Sequence, residues 1–267
     1  MPLLTILSCK ILQDEIVHIL NNDPSVNEIL VVSNGHEQDL TSKLQVTGLD
    51  YRLLSPEELS AGAQVHRGDP CNYNVMVYMV ELALHEFPKM LKTEVYRLVE
   101  KLSGCSSGIL MFYGLCGNVF DKIEADFAHQ ESSCPVRILR DDTRIVDDCV
   151  GATLGGCREY LATLKRFSDQ GTFLFTPMFA HTWREIMRVD PQKPEKTIEM
   201  LRKVNEITGY RRVAKIRTGL SYTEDFDAKV DEFAEIFDFE VLEIEGGQDI
   251  FENCYHAIKN EIAGIGR

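Results

Sequence analysis

The sequence predicts an α/β fold: mostly parallel sheet flanked by helices, as one domain or as two similar Rossmann-like halves. Two observations lead there. Short apolar runs recur along the chain, each followed by a longer amphipathic segment, the pattern of strands buried on both faces by crossover helices. Several of these runs also end in Gly, Asn or Asp, as strand-to-helix loops do.

The first run, "LLTILSC", predicts a strand over residues 3–8 and an amphipathic helix over 12–21. "EILVVS" predicts a strand over 28–33, followed by a helix over 36–45. Residues 75–102 read as one long amphipathic helix, with Pro88 either kinking it or opening a new helix at its first turn. "GILMFY" predicts a strand over 108–113 that breaks at Gly-Leu-Cys-Gly-Asn. Strands are further expected at 136–139, 172–176, 212–216 and 239–244. The remaining helices are expected at 149–167, 183–188, 194–208, 223–237 and 249–263.

With 267 residues, 44% of them hydrophobic, the chain can bury a substantial core. A single α/β domain over 1–267 is expected. It is divisible into halves 1–105 and 106–267 at "SGCSSG", which reads equally well as a helix-to-strand loop. No apolar run has the 18 or so residues of a membrane span. The N-terminus lacks the basic leader of a signal peptide, so a cytoplasmic protein is expected. The net charge of −14 repels phosphate backbones and disfavours nucleic acid as a partner. Neither a dinucleotide-binding G-x-G-x-x-G nor a P-loop is present, nor H-E-x-x-H or G-x-S-x-G.

The eight cysteines form no C-x-x-C pair, and each alone reads as a small core residue. Three share one topological position, however. Cys9 closes the first strand, Cys116 follows the strand of "ILMFYGLC", and Cys149 opens a helix after "RIVDD". Ligands in open α/β sheets bind beyond the carboxyl ends of the strands, so three thiols there suit a soft metal. Cys71, Cys105, Cys134, Cys157 and Cys254 are assigned to packing or surface.

Glu15, His85 and Asp148 are the expected catalytic side chains, orienting ligands or moving a proton. Capping the helix that follows is the plainer role for Asp148, and packing is the plainer role for His85. Gly114, Gly117 and Asn118 surround Cys116 and are expected to contact a bound cofactor. Arg140, with Arg137, is placed to anchor a carboxylate or phosphate, or else is solvated. His66 stands in a polar loop, as a lid residue or simply exposed.

The segments "LSCKILQDEI", "LHEFPKML", "YGLCGN", "DDCVGATLGGCREY" and "GTFLFTP" resemble, in this order, the family described as domain of unknown function 1638. Cys9, His85, Cys116 and Cys149 fall on that family's motif positions. Cys157 stands where such sequences usually carry serine, and "MFAHTW" departs from the family's Gly-Trp. The resemblance implies no settled activity. It implies a context of anaerobic archaea and bacteria and an association with corrinoid-dependent methyl transfer.

Three functions remain open from the sequence. In one, Cys9, Cys116 and Cys149 hold zinc, with a [4Fe–4S] cluster as the alternative. The open fourth position then takes a substrate thiol for methyl transfer. In another, the protein is a non-catalytic accessory that binds a cofactor, a corrinoid protein or a methyltransferase. In the third, Cys116 is a nucleophile with His85 as its base and the Gly117 and Asn118 amides as an oxyanion hole.

Overall fold

A computed structural model describes residues 2–60, 72–128, 134–142 and 144–265; His66 and Cys71 lie outside them. Six strands form the first sheet: β1 (Leu3–Cys9), β2 (Val26–Val32), β3 (Tyr51–Leu54), β4 (Tyr73–Val80), β5 (Gly108–Phe112) and β6 (Val136–Ile138). Their order is β3-β2-β4-β1-β5-β6, and every pairing is parallel.

Helices α1 (Gln13–Asn22) and α2 (Gln38–Val46) cover one face, packing Ile16, Leu40 and Leu44 on Ile6, Val31 and Val77. The other face carries α3 (Pro56–Ser60), α4 (Pro88–Ser103) and α5 (Ile123–Ala128). There Leu59, Leu91, Val95 and Ile123 pack on Leu7, Met76 and Met111. Each such buried side chain contributes about 1.5–3 kcal/mol. The chain moves from β1 to β3 by way of helices on one face and returns to β6 by way of the other, as right-handed crossovers require.

The second sheet is parallel too, with β7 (Gly171–Phe175), β8 (Tyr210–Arg217) and β9 (Glu240–Glu245) in the order β7-β8-β9. One face packs against α6 (Cys149–Thr153) and Tyr160 of α7 (Cys157–Arg166). The other packs against α8 (Pro177–Ile186), α9 (Pro194–Thr208) and α10 (Phe226–Phe237), around Phe175, Trp183 and Phe233. The last helix, α11 (Asp249–Ile265), returns to the first sheet and lays Phe251 and Ile258 on the α1 face. Gly108 is closely covered by this helix: a Cβ there would stand 2.6 Å from Ile262.

The α/β expectation holds, with corrections. The single helix expected over 75–102 is instead β4, a 3-10 turn at Leu82–Glu86 and then α4. Pro88 opens α4 at its first turn. "YNVMVYMV" lies mid-sheet, buried on both faces, so it lacks the alternation that would have marked it as a strand. The helix expected over 149–167 breaks at Gly155 and Gly156, whose φ values are +91° and +108°. Helix α8 begins at Pro177 rather than at Trp183, capped by Thr176, whose hydroxyl accepts from the Phe179 amide at 3.3 Å. The "SGCSSG" stretch joins α4 to β5, and β5 pairs with β1. The change of sheet therefore comes after β6, and the sheets differ in size.

Candidate functional site

After β1 the chain leaves for α1 on one face, whereas after β4 and β5 it leaves for α4 and α5 on the other. Strands whose continuations part in this way leave a crevice at their carboxyl ends. Cys9 is the last residue of β1 and pairs with Val80 of β4. Glu15, in the first turn of α1, is 1% exposed.

On the other side of β1, "YGLCGN" emerges from β5 and docks on the segment leading to α6. The Leu115 amide donates to the Val146 carbonyl at 2.8 Å, and the Cys116 amide to the Asp147 carbonyl at 3.1 Å. Gly114 permits this approach, because a Cβ there would stand 2.5 Å from the Val146 oxygen and 2.7 Å from the Asp148 nitrogen. Cys116, Gly117 and Asn118 then take φ values of +45°, +80° and +62°. One such left-handed residue without a glycine's freedom costs roughly 1–2 kcal/mol, and this turn holds two. Gly117 faces Pro88, whose ring would lie 3.7 Å from a Cβ there.

Cys149 opens α6 and packs against both faces of the first sheet and against the core of the second. Asp148 is the cap. One of its carboxylate oxygens accepts from the Gly151 amide at 2.8 Å and the other from the Tyr160 hydroxyl at 3.0 Å.

The structure thus brings Cys9, Cys116, Cys149 and Glu15 into one electrostatic neighbourhood. Burial pushes the Cys9 thiol up to about 12, against the amides of Ile11 and Leu12 and with the help of Glu15's charge. Burial and then Cys9's charge push Cys116 up to about 12. Cys149 is raised well above its ordinary value by burial, then by Cys9, Asp148, Cys116 and Glu15. Glu15 is pushed up to about 8, by burial first and then by the charge of Asp14. Its Oε2 is buried with no hydrogen-bond partner among the described residues. As whole residues Cys9 is buried and Cys116 and Cys149 are half-buried. Among the described residues, no set of three or more His, Cys, Asp and Glu side chains is arranged to hold a metal ion as it stands.

The other expected site residues are placed differently. Arg140 pairs its guanidinium with Glu124 at 3.5 Å and its amide with Cys254 Sγ at 3.4 Å, beside β6. His85 lies in the 3-10 turn after β4, and what was expected of its imidazole falls outside the described side chains. Two participants escaped the sequence reading. Tyr113, 1% exposed, is raised by burial and then by all three thiols; its place directly after the strand was the available signal. Asp14, also 1% exposed, ion-pairs with Lys43 and accepts from Thr223 at 2.9 Å. That contact ties α1 and α2 to the loop after β8, and nothing in the sequence marks it.

Fold and electrostatics together define an α/β protein of two parallel sheets in which the thiols of Cys9, Cys116 and Cys149 influence one another. The chain belongs to the family described as "Protein of unknown function (DUF1638)", whose model matches residues 79–255. Cys116 and Cys149 lie inside that stretch, while Cys9 and Glu15 precede it. No curated protein matches the chain. Among solved structures, UDP-GlcNAc 2-epimerase from Neisseria meningitidis bound to UDP-GlcNAc is 11% identical over 92% of this chain and 72% of its own. Its TM-score is 0.24, too low for any inference. Among the described residues, no helix is long and apolar enough to cross a membrane.

Proposed function

We propose that this protein is a thiolate-metal enzyme in which Cys9, Cys116 and Cys149 bind zinc and leave one position open to a substrate thiol. The observation that carries this reading is the mutual influence of three thiols beside Glu15, whose Oε2 is buried with no hydrogen-bond partner among the described residues. A dication reverses the electrostatics of such a cluster, since neighbouring thiolates that repel one another become ligands. The donor set is sulfur-rich and fits zinc, with a [4Fe–4S] cluster as the competing occupant. For the three sulfurs to reach ligand distance, the Cys116 turn and the start of α6 have to move from their present positions.

Zinc lowers the pKa of a bound thiol and presents it as a nucleophile. The chain's own residues then have simple tasks. Asp148 holds the start of α6, and with it Cys149, while Gly114 keeps the Cys116 turn against that helix. Glu15, which burial keeps largely protonated near neutral pH in the metal-free chain, would be ionised beside a dication and would then take the proton of the incoming thiol. The donor of the transferred methyl or alkyl group is proposed to be a partner, a corrinoid protein in the reading suggested by the family resemblance. Free nucleophilic catalysis by Cys116 is poorly served, because burial holds its thiol protonated.

Metal analysis of anaerobically purified protein tests this reading. One zinc per chain, lost in Cys116→Ser, is the expected result. Metal-free protein that also fails to take up added zinc or iron contradicts it.

A further inference from the structure

A cleft of about 600 Å³ opens between the carboxyl ends of β2 and β4 and the start of α4. Its size is that of a small-molecule site. Val80, Leu84 and Leu98 form apolar walls, while Asn34, His36 and Lys89 stand among the polar lining residues. The Asn34 side chain is held in place, donating to the Met79 carbonyl at 2.7 Å.

The cleft lies next to the strand end that carries Cys9. Val80, in its lining, is the register partner of Cys9. Cys9, Val80 and Leu98 belong to a single buried apolar cluster, against which Leu84 and Cys116 pack. Pro88, at the start of the helix that lines the cleft, abuts Gly117 next to Cys116.

We propose that this cleft holds the apolar chain of an amphipathic substrate whose reacting end lies at Cys116, with its polar groups at the rim beside Asn34, His36 and Lys89. This assignment deepens the zinc-thiolate reading and rests on it for the chemistry, but the cleft can be probed without metal. The substrate class is then a thiol carrying an aliphatic or flat apolar body. A phosphate-rich nucleotide is not expected, because the sequence carries no P-loop or G-x-G-x-x-G motif and no glycine stands among the described residues that line the cleft.

The test uses N-alkylmaleimides of increasing chain length on the full chain after chelation. The rate at Cys116, followed by peptide mapping, is divided by the rate with glutathione. It is expected to rise about two- to fourfold for each methylene seated in the cleft, the upper figure being full transfer from water. Thr93→Trp fills the cleft from an exposed position on α4 and is expected to flatten the series. Met90→Trp, at a residue 56% exposed, serves as a second blocking variant should the first fold poorly. A rate independent of chain length, or a slope that survives both variants, overturns the assignment. The metal content of the same preparation before chelation reports separately on the zinc reading.

Discussion

Gly114 and Asp148 meet backbone to backbone: a Cβ on Gly114 would stand 2.8 Å from the Asp148 Cα. That contact sets the Cys116 turn against the helix start that carries Cys149. Gly114→Ala therefore has to push two backbone segments apart. A loss of about 1–3 kcal/mol is expected, or about 2–4 °C of melting temperature per kcal/mol for a chain of this size. Metal uptake should weaken with it. Gly247→Ala, where no atom of the described residues lies within 4 Å of the added Cβ, is the control and should melt unchanged.

The Cys116 turn stores strain at Asn118, which has a φ of +62°. Replacing it with Gly should be neutral or stabilise the fold by up to about 1 kcal/mol. Asn118→Val should cost about 1–2 kcal/mol, because a β-branched side chain tolerates this region poorly. Chemical denaturation of the two variants reads the difference.

Glu15 keeps an unpartnered oxygen in a buried place. Removing an unsatisfied polar group should stabilise the metal-free protein, so Glu15→Leu is expected to gain about 1–3 kcal/mol. The same variant should lose activity toward thiols. A Glu15→Leu protein less stable than the parent would mean that this carboxyl already has its partner.

Acid stability should be concentrated where α11 meets the first sheet. Burial alone would raise the Asp23 carboxyl, but Lys259, Ser25 and Tyr73 bond to it and hold it well below the usual carboxylate range. A depressed folded-state value stabilises the fold at pH above the unfolded value of about 3.9, and the gain is lost as pH falls toward the folded value. Asp23→Asn should therefore cost about 1.5–3 kcal/mol at neutral pH. Below about pH 3 the gap to the parent should shrink, as urea unfolding across pH will read.

Much of this arrangement was legible in the chain. β1 and β5 announce themselves as short apolar runs, and they place Cys9 and Cys116 at carboxyl ends. β4 did not, because its apolar run continues through "ELAL" with no turn residue to end it and so resembles the start of a long helix. β3 is only four residues long, with just Leu54 buried. Asp148 and its cap could be read from "DDCVG", whereas the path of Arg140 to Glu124 depends on how α5 lies beside β6. The Lys43–Asp14–Thr223 contact joins residues far apart in sequence, so only the fold could bring it out.

X-ray absorption at the metal edge of the anaerobically purified protein tests the central claim most directly. The account expects one zinc per chain with three sulfurs at about 2.3 Å, and one sulfur fewer in Cys149→Ser. A metal coordinated only by nitrogen and oxygen, or an unchanged sulfur count in that variant, would contradict it.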